Sequence, residues 1–78
     1  MKIEILGTGC AKCKALEEAA KQAVAQSGKF AQVEKVDDIQ KIMSYGVMST
    51  PGLVIDGKVV STGKLLGVAE IVELIKAP

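Results

Sequence analysis

Cys10 and Cys13 are the only cysteines in this chain of 78 residues, and two residues separate them. Residues three positions apart lie on the same face of a helix, where two sulfur atoms come close enough to form a disulfide bond. A disulfide between these two cysteines would close a short ring. Such a ring constrains the unfolded chain less than a long-range bridge does, so it is poorly suited to stabilise the fold. The spacing therefore predicts a redox-active pair rather than a structural disulfide.

The pair also stands at a favourable position, after a predicted strand and at the start of a predicted helix. The unpaired N–H groups and the dipole at a helix N-terminus stabilise an anion by about 0.3–1 kcal/mol, and the thiolate is the reactive form of cysteine. Lys14, one helical turn after Cys10, adds a favourable charge. We therefore expect the pKa of Cys10 to be lowered modestly, towards ~7. Cys10 is the expected attacking thiol, and Cys13, one turn further in, the expected resolving thiol.

Three alternatives to this interpretation stay open. The cysteines could be ordinary small helix residues, which their position at the strand-to-helix junction disfavours. Thiolates also bind soft metals, so the alternative function is a Cu(I) carrier that uses Cys10 and Cys13. Structural zinc needs four ligands, and the chain has two cysteines and no histidine, so no metal site is assigned. A folded binding module with a vestigial site is the third alternative.

The composition excludes other classes of function. The chain has 10 basic and 9 acidic residues, a net charge of +1, whereas nucleic-acid binders carry a basic surface. The absence of histidine removes Ser-His-Asp and Cys-His catalysis. No apolar stretch approaches the ~18 residues of a membrane span, and the N-terminus lacks the apolar core of a signal peptide. We expect one cytoplasmic domain over residues 1–78, a monomer with no bound cofactor and no nucleic-acid or membrane partner.

The elements that must position the pair are predicted in the order βαβαββα. Alternation, helical periodicity and turn residues define them, and Asp56-Gly57 between two apolar runs indicates a hairpin. The predicted bounds are Lys2–Leu6, Ala11–Ser27, Ala31–Val36, Asp38–Tyr45, Leu53–Ile55, Val59–Val60 and Val68–Lys76.

This order predicts a three-layer α/β fold. The first βαβ unit implies a right-handed parallel crossover, and the hairpin adds antiparallel strands. A mixed four-stranded sheet with helices on both faces is the simplest packing. Soft-metal domains with a similar cysteine motif have the order βαββαβ, with the hairpin before the second helix. The order found here therefore favours the redox interpretation.

The motifs together resemble the small thioredoxin-like proteins called redox-active disulfide proteins, which are glutaredoxin-sized. The resemblance covers nearly the whole chain and implies a thioredoxin-like fold. The residues that carry it are Gly7-Thr8-Gly9-Cys10-Ala11-Lys12-Cys13, Val47-Met48-Ser49-Thr50-Pro51 and Ile55-Asp56-Gly57-Lys58-Val59-Val60.

The resemblance also implies functional roles. Cys10 would be the nucleophile, Cys13 the resolving thiol and Pro51 a cis-proline that faces the pair. The substrates would be protein disulfides, and a flavin-dependent disulfide reductase would recharge the protein. Thioredoxin itself has Gly-Pro where this chain has Ala11-Lys12, and a tryptophan at the position of Gly9, so its own substrate range does not carry over.

Pro51 is ambiguous from local sequence alone. Only ~5–6% of X–Pro bonds are cis, so an ordinary trans proline at a strand entry is the alternative. A cis bond would turn the Thr50 backbone towards the sulfurs, where it could pair with an extended substrate. Thr50 and Pro51 are therefore the candidate substrate-binding residues.

Glu4, six residues before Cys10, matches the position of the buried acid of thioredoxins. Strand alternation places it on one face with Lys2 and Leu6. On a covered face, Glu4 could act as a base for Cys13 through a water molecule; the alternative is a solvated carboxylate. Glu4 and Lys14 are thus the candidate modulators of the thiol pKa values.

Three further side chains have simpler expectations. Tyr45 is expected to cap a small core or to contact a substrate. Met43 and Met48 are expected to pack in the interior rather than to bind copper.

Overall fold

The computed structural model describes residues 1–9 and 11–76. Its elements follow the predicted order, and their bounds differ from the predicted ones by at most two residues. No helix within the described ranges is long and apolar enough to span a membrane. The elements are β1 (Lys2–Leu6), α1 (Ala11–Ser27), β2 (Gln32–Val36), α2 (Ile39–Ser44), β3 (Gly52–Ile55), β4 (Lys58–Thr62) and α3 (Val68–Lys76).

The four strands form one mixed sheet in the order β2-β1-β3-β4. β1 pairs in parallel with β2 and antiparallel with β3, and β3 pairs antiparallel with β4. β1 is therefore a central strand, with Glu4 opposite Glu34 on one side and Val54 on the other. The predicted mixed four-stranded sheet is confirmed.

The β3–β4 hairpin closes on the turn that the sequence indicates. Asp56 and Gly57 both have positive φ, +50° and +82°, as a two-residue type I′ turn requires. The Asp56 N–H donates to the Lys2 carbonyl at 2.8 Å, and the Lys2 N–H donates to the Asp56 carboxylate at 2.8 Å. The turn therefore also holds the start of β1.

α1 and α3 cover one face of the sheet. α1 carries alanines on its inner side, which allow close approach, and ends at Ser27 before Gly28, whose φ is +71°. α3 contributes buried residues one turn apart, as its periodicity predicts. The buried cluster on this face comprises Ile3, Ile5, Leu16, Ala20, Ala23, Leu53, Ile71 and Ile75.

α2 covers the opposite face and is shorter. The Asp38 carboxylate accepts a hydrogen bond from the Gln40 N–H at 3.0 Å and caps its start. The buried apolar cluster beneath it comprises Leu6, Val36, Ile42, Val47 and Val54. The prediction that Met43 and Met48 pack in the interior is wrong, because their side chains are 67% and 99% exposed. α2 turns Ile42 towards the sheet and Met43 towards solvent, and Met48 follows in a loop.

Candidate active site

The junction between β1 and α1 holds the sulfur of Cys13. Cys13 lies in the first turn of α1, and its side chain is only 2% exposed. A Cβ atom on Gly7 would overlap the Cys13 Sγ and crowd its Cβ, so this position requires glycine. The Gly7 N–H also donates to the Val36 carbonyl at 2.9 Å, which fixes the backbone there. The site thus encloses the Cys13 sulfur between the end of a strand and the start of a helix.

The other half of the predicted pair, Cys10, lies outside the described residues. Its roles as helix-edge thiol and nucleophile therefore stay predictions. Lys14 lies on α1 with an exposed side chain. Its predicted influence on the Cys10 thiol is likewise untested.

The loop before β3 has a second fixed point at Pro51. The Thr50–Pro51 peptide bond is cis; the Pro51 ring is buried and Thr50 is exposed. The Pro51 carbonyl accepts a hydrogen bond from the Gly63 N–H at 2.8 Å. Gly63 has φ +68°, and a Cβ there would come within 3.1 Å of the Ser49 Cβ, so glycine is needed for both conformation and space.

Glu4 is buried in the α2 face of the sheet, with 3% of its surface exposed. The alternative of a solvated carboxylate is therefore wrong. Glu4 Oε1 accepts a hydrogen bond from the Tyr45 hydroxyl at 2.7 Å, and Oε2 lies 3.6 Å from the Lys41 Nζ. Oε2 is buried and accepts no hydrogen bond from the residues described here.

Tyr45 caps the C-terminal end of α2 and packs, partly buried, against the apolar cluster of that face. The hydrogen bond to Glu4 raises the pKa of the Tyr45 hydroxyl, and desolvation and the negative charge of Glu4 raise it further. The hydroxyl therefore remains a donor well above neutral pH. Tyr45 caps the core as predicted, but its contact with Glu4 was not foreseen from the sequence.

Glu4 and the Cys13 sulfur approach β1 from different sides. Glu4 contacts Tyr45 and Lys41 at the α2 face. The Cys13 sulfur lies where a Cβ on Gly7 would point, on the side from which α1 packs. The predicted role of Glu4 as a base for Cys13 is untested.

An open apolar groove adjoins Thr50. It has a volume of about 310 Å³ and includes the exposed side chains of Met43 and Met48. Its lining residues are Ile39, Ile42, Met43, Val47, Met48 and Thr50.

Two further contacts that shape this region were not predicted from the sequence, and both are made by glycine. Gly7 leaves room for the Cys13 sulfur, and Gly63 leaves room for the Ser49 side chain. For Gly7 the sequence contained a signal, because a glycine directly between a strand and a cysteine motif often marks a site of close approach. Gly63 offered no local signal, because its partner Pro51 comes from another strand end.

Among residues 1–9 and 11–76, no group of three or more His, Cys, Asp or Glu side chains could hold a metal ion. The observed element order also differs from the βαββαβ order of soft-metal domains.

Comparison with known proteins identifies the family. The family model described as Thioredoxin domain matches residues 1–76. The chain is similar to a thioredoxin of Methanothermobacter thermautotrophicus, with 39% identity over 75 residues that cover 96% of this chain and 97% of that protein. It is also similar to a thioredoxin of Methanocaldococcus jannaschii, with 41% identity over 75 residues that cover 96% of this chain and 86% of that protein. The chain therefore belongs to the thioredoxin domain family and is, at the level of that family, a thiol–disulfide oxidoreductase.

Proposed function

We propose that this protein reduces protein disulfides through Cys10 and Cys13. The Cys10 thiolate attacks one sulfur of the substrate disulfide, so that the substrate S–S bond breaks and a mixed disulfide forms. The Cys13 thiolate then attacks the Cys10 sulfur, which forms the Cys10–Cys13 disulfide and releases the second substrate thiolate. Two electrons pass to the substrate, whose two sulfurs end as thiols after taking up two protons.

The observation that carries this proposal is the enclosed sulfur of Cys13 against Gly7, in a chain that belongs to the thioredoxin domain family. A resolving thiol must not react with outside disulfides before the mixed disulfide exists. Burial beneath the start of α1 provides that protection, because access is one of the factors that set exchange rates. Cys10, one helical turn earlier in sequence, is the proposed nucleophile.

Thr50 and Pro51 are the proposed substrate-binding residues. Thr50 is exposed, and the carbonyl of the buried Pro51 accepts a hydrogen bond from the Gly63 N–H. An extended substrate segment could pair with the Thr50 backbone as an added strand does. This contact would align the substrate disulfide with Cys10.

The cycle needs an electron donor to reopen the Cys10–Cys13 disulfide. A flavin-dependent disulfide reductase is the proposed donor, which would return two electrons and two protons to the pair. Lys14 and Glu4 are the proposed modulators of thiol reactivity. In the proposed cycle this protein itself uses no cofactor, only its Cys10–Cys13 disulfide.

An equilibrium redox titration tests the proposal. The protein is incubated in dithiol buffers of graded potential, alkylated and weighed by mass spectrometry. We expect an intramolecular disulfide with a potential near −270 mV, about that of thioredoxin. The Cys10→Ser variant should show no such couple.

The same titration with Cu(I) and Zn²⁺ present distinguishes the proposed function from the alternative, a Cu(I) carrier. A disulfide reductase should exchange rapidly whether or not the metals are present at low concentration. Tight Cu(I) binding with slow disulfide exchange would contradict the proposal and support a soft-metal carrier.

A further inference from the structure

We infer that Glu4, Tyr45 and Lys41 form a polar clamp that positions the Thr50–Pro51 loop for the backbone of a protein substrate. The inference rests on the proposed function, because it assumes that Thr50 pairs with substrate. It assigns Tyr45 and Lys41 as positioning residues, which act through the loop and not on the sulfurs.

The clamp joins α2 to the centre of the sheet. Lys41 and Tyr45 are one helical turn apart and both reach the Glu4 carboxylate, at 3.6 Å and 2.7 Å. Glu4 belongs to β1, which is paired on both sides, so it is a rigid anchor. A buried carboxylate is unfavourable unless it is paired, and the hydroxyl and the ammonium group provide that pairing.

α2 has little other attachment to the sheet. Within α2, all of whose residues the structure describes, Ile42 is the only buried side chain. Ile39 and Met43 are 55% and 67% exposed. A helix of six residues with one buried side chain depends on its polar contacts for its position. Loss of the clamp should therefore let the C-terminal end of α2 move.

The end of α2 leads directly to the substrate-binding loop. Tyr45 caps the helix, and residues 46–50 connect it to Pro51. Val47 is buried in this connection, whereas Met48 and Thr50 are exposed. The far side of the loop has its own anchor, the hydrogen bond from Gly63 to Pro51. A shift of Tyr45 should thus displace Thr50 while Pro51 stays in place.

This arrangement predicts a difference between two kinds of substrate. A peptide disulfide needs the Thr50 backbone, whereas a small disulfide without a peptide backbone needs the cysteines alone. We therefore expect Tyr45→Phe to raise the half-saturating concentration of a disulfide-bonded peptide about two- to tenfold, the range that one lost hydrogen bond corresponds to. The rate with bis(hydroxyethyl) disulfide should stay unchanged.

The measurement is the single-turnover oxidation of pre-reduced protein over a range of substrate concentrations, by quenching and alkylation. Ser44→Ala is the matched control, because it removes a hydroxyl at the same end of α2 that donates to the Lys41 carbonyl, at 2.6 Å, and not to Glu4. It should behave as wild type with both substrates. Lys41→Met keeps the aliphatic stem. Like Tyr45→Phe, it should raise the half-saturating peptide concentration and leave the rate with the small disulfide unchanged. It replaces Tyr45→Phe in the test if that variant does not fold.

Glu4→Gln distinguishes the clamp from the role of Glu4 as a base. Glutamine still offers an oxygen to the Tyr45 hydroxyl, so the clamp predicts a half-saturating peptide concentration closer to wild type than that of Tyr45→Phe. A base for Cys13 would instead slow the reaction with both substrates.

Two results would overturn the inference. One is that Tyr45→Phe and Lys41→Met lose reactivity equally with the peptide and with the small disulfide. The other is that neither variant changes in its reactivity with either substrate. Failure of the proposed function gives a different result. In that case wild-type protein is oxidised by neither substrate, or Cys10→Ser reacts as fast as wild type, and the inference falls with it.

Discussion

The two faces of the sheet are built differently. The face under α1 and α3 encloses eight apolar side chains, each with no exposed surface. The face under α2 has a smaller apolar cluster, a buried carboxylate at Glu4 and two exposed methionines in and after α2. The first face supplies most of the apolar burial that stabilises the fold, and the second face holds polar groups that a core alone would not need.

This difference indicates that the α2 face contains polar groups that contribute little to the stability of the fold. An ion pair with an exposed partner is screened by water and adds little to stability. The Lys41 side chain is 49% exposed, so its pair with Glu4 stabilises the fold only weakly. The position of this pair between the sheet and α2 fits the inferred positioning of the loop that contains Thr50, to which α2 leads.

Truncation of one buried side chain on each face tests the comparison most strongly. Leu16→Ala should lower the free energy of unfolding by about 2–5 kcal/mol, the range for large cavities in a closed core. Ile42→Ala should cost less, because Ile42 already lines an open groove that water can enter. Urea denaturation of both variants gives the two values. A cost for Ile42→Ala that equals or exceeds that of Leu16→Ala would break the distinction between the faces.

A smaller effect is expected at the junction of β1 and α1. Gly7→Ala should lower the free energy of unfolding by about 1–3 kcal/mol, because the added methyl group overlaps the Cys13 sulfur. Gly67→Ala is the matched control, since a Cβ there would make an ordinary van der Waals contact with the Glu70 Oε1, at 3.8 Å. The control should change stability by less than about 0.5 kcal/mol.

Alkylation of Cys13 in native protein adds a second readout for Gly7→Ala. A displaced sulfur should react faster with iodoacetamide than the enclosed one does. Equal stability and equal alkylation rates in Gly7→Ala and Gly67→Ala would show that the sulfur is not held by this contact.

Local signals in the sequence were sufficient for most of the fold. The turn at Asp56-Gly57, the cap at Asp38 and the apolar periodicity of α1 and α3 each define an element within a few residues. The order of the elements then limits the packing to a mixed sheet with helices on both faces. That prediction is confirmed by the strand order.

The missed features depend on residues that are distant in sequence. The Tyr45 hydroxyl reaches Glu4 across 41 positions, and Gly63 meets Pro51 from the end of another strand. Neither contact has a local signature. The exposure of Met43 and Met48 depends on how little of α2 faces the sheet, which periodicity in so short a helix does not determine.

The central claim is that Cys10 attacks the substrate disulfide and Cys13 resolves the mixed disulfide. Trapping of the mixed disulfide tests this claim most directly. Reduced Cys13→Ser protein is mixed with a disulfide-bonded peptide and analysed by mass spectrometry without reductant. The account predicts a persistent adduct of the peptide on Cys10, since no resolving thiol is present, and no adduct on Cys13 in Cys10→Ser protein over the same time. Rapid formation of an adduct on Cys13 in Cys10→Ser, with none on Cys10 in Cys13→Ser, would contradict it.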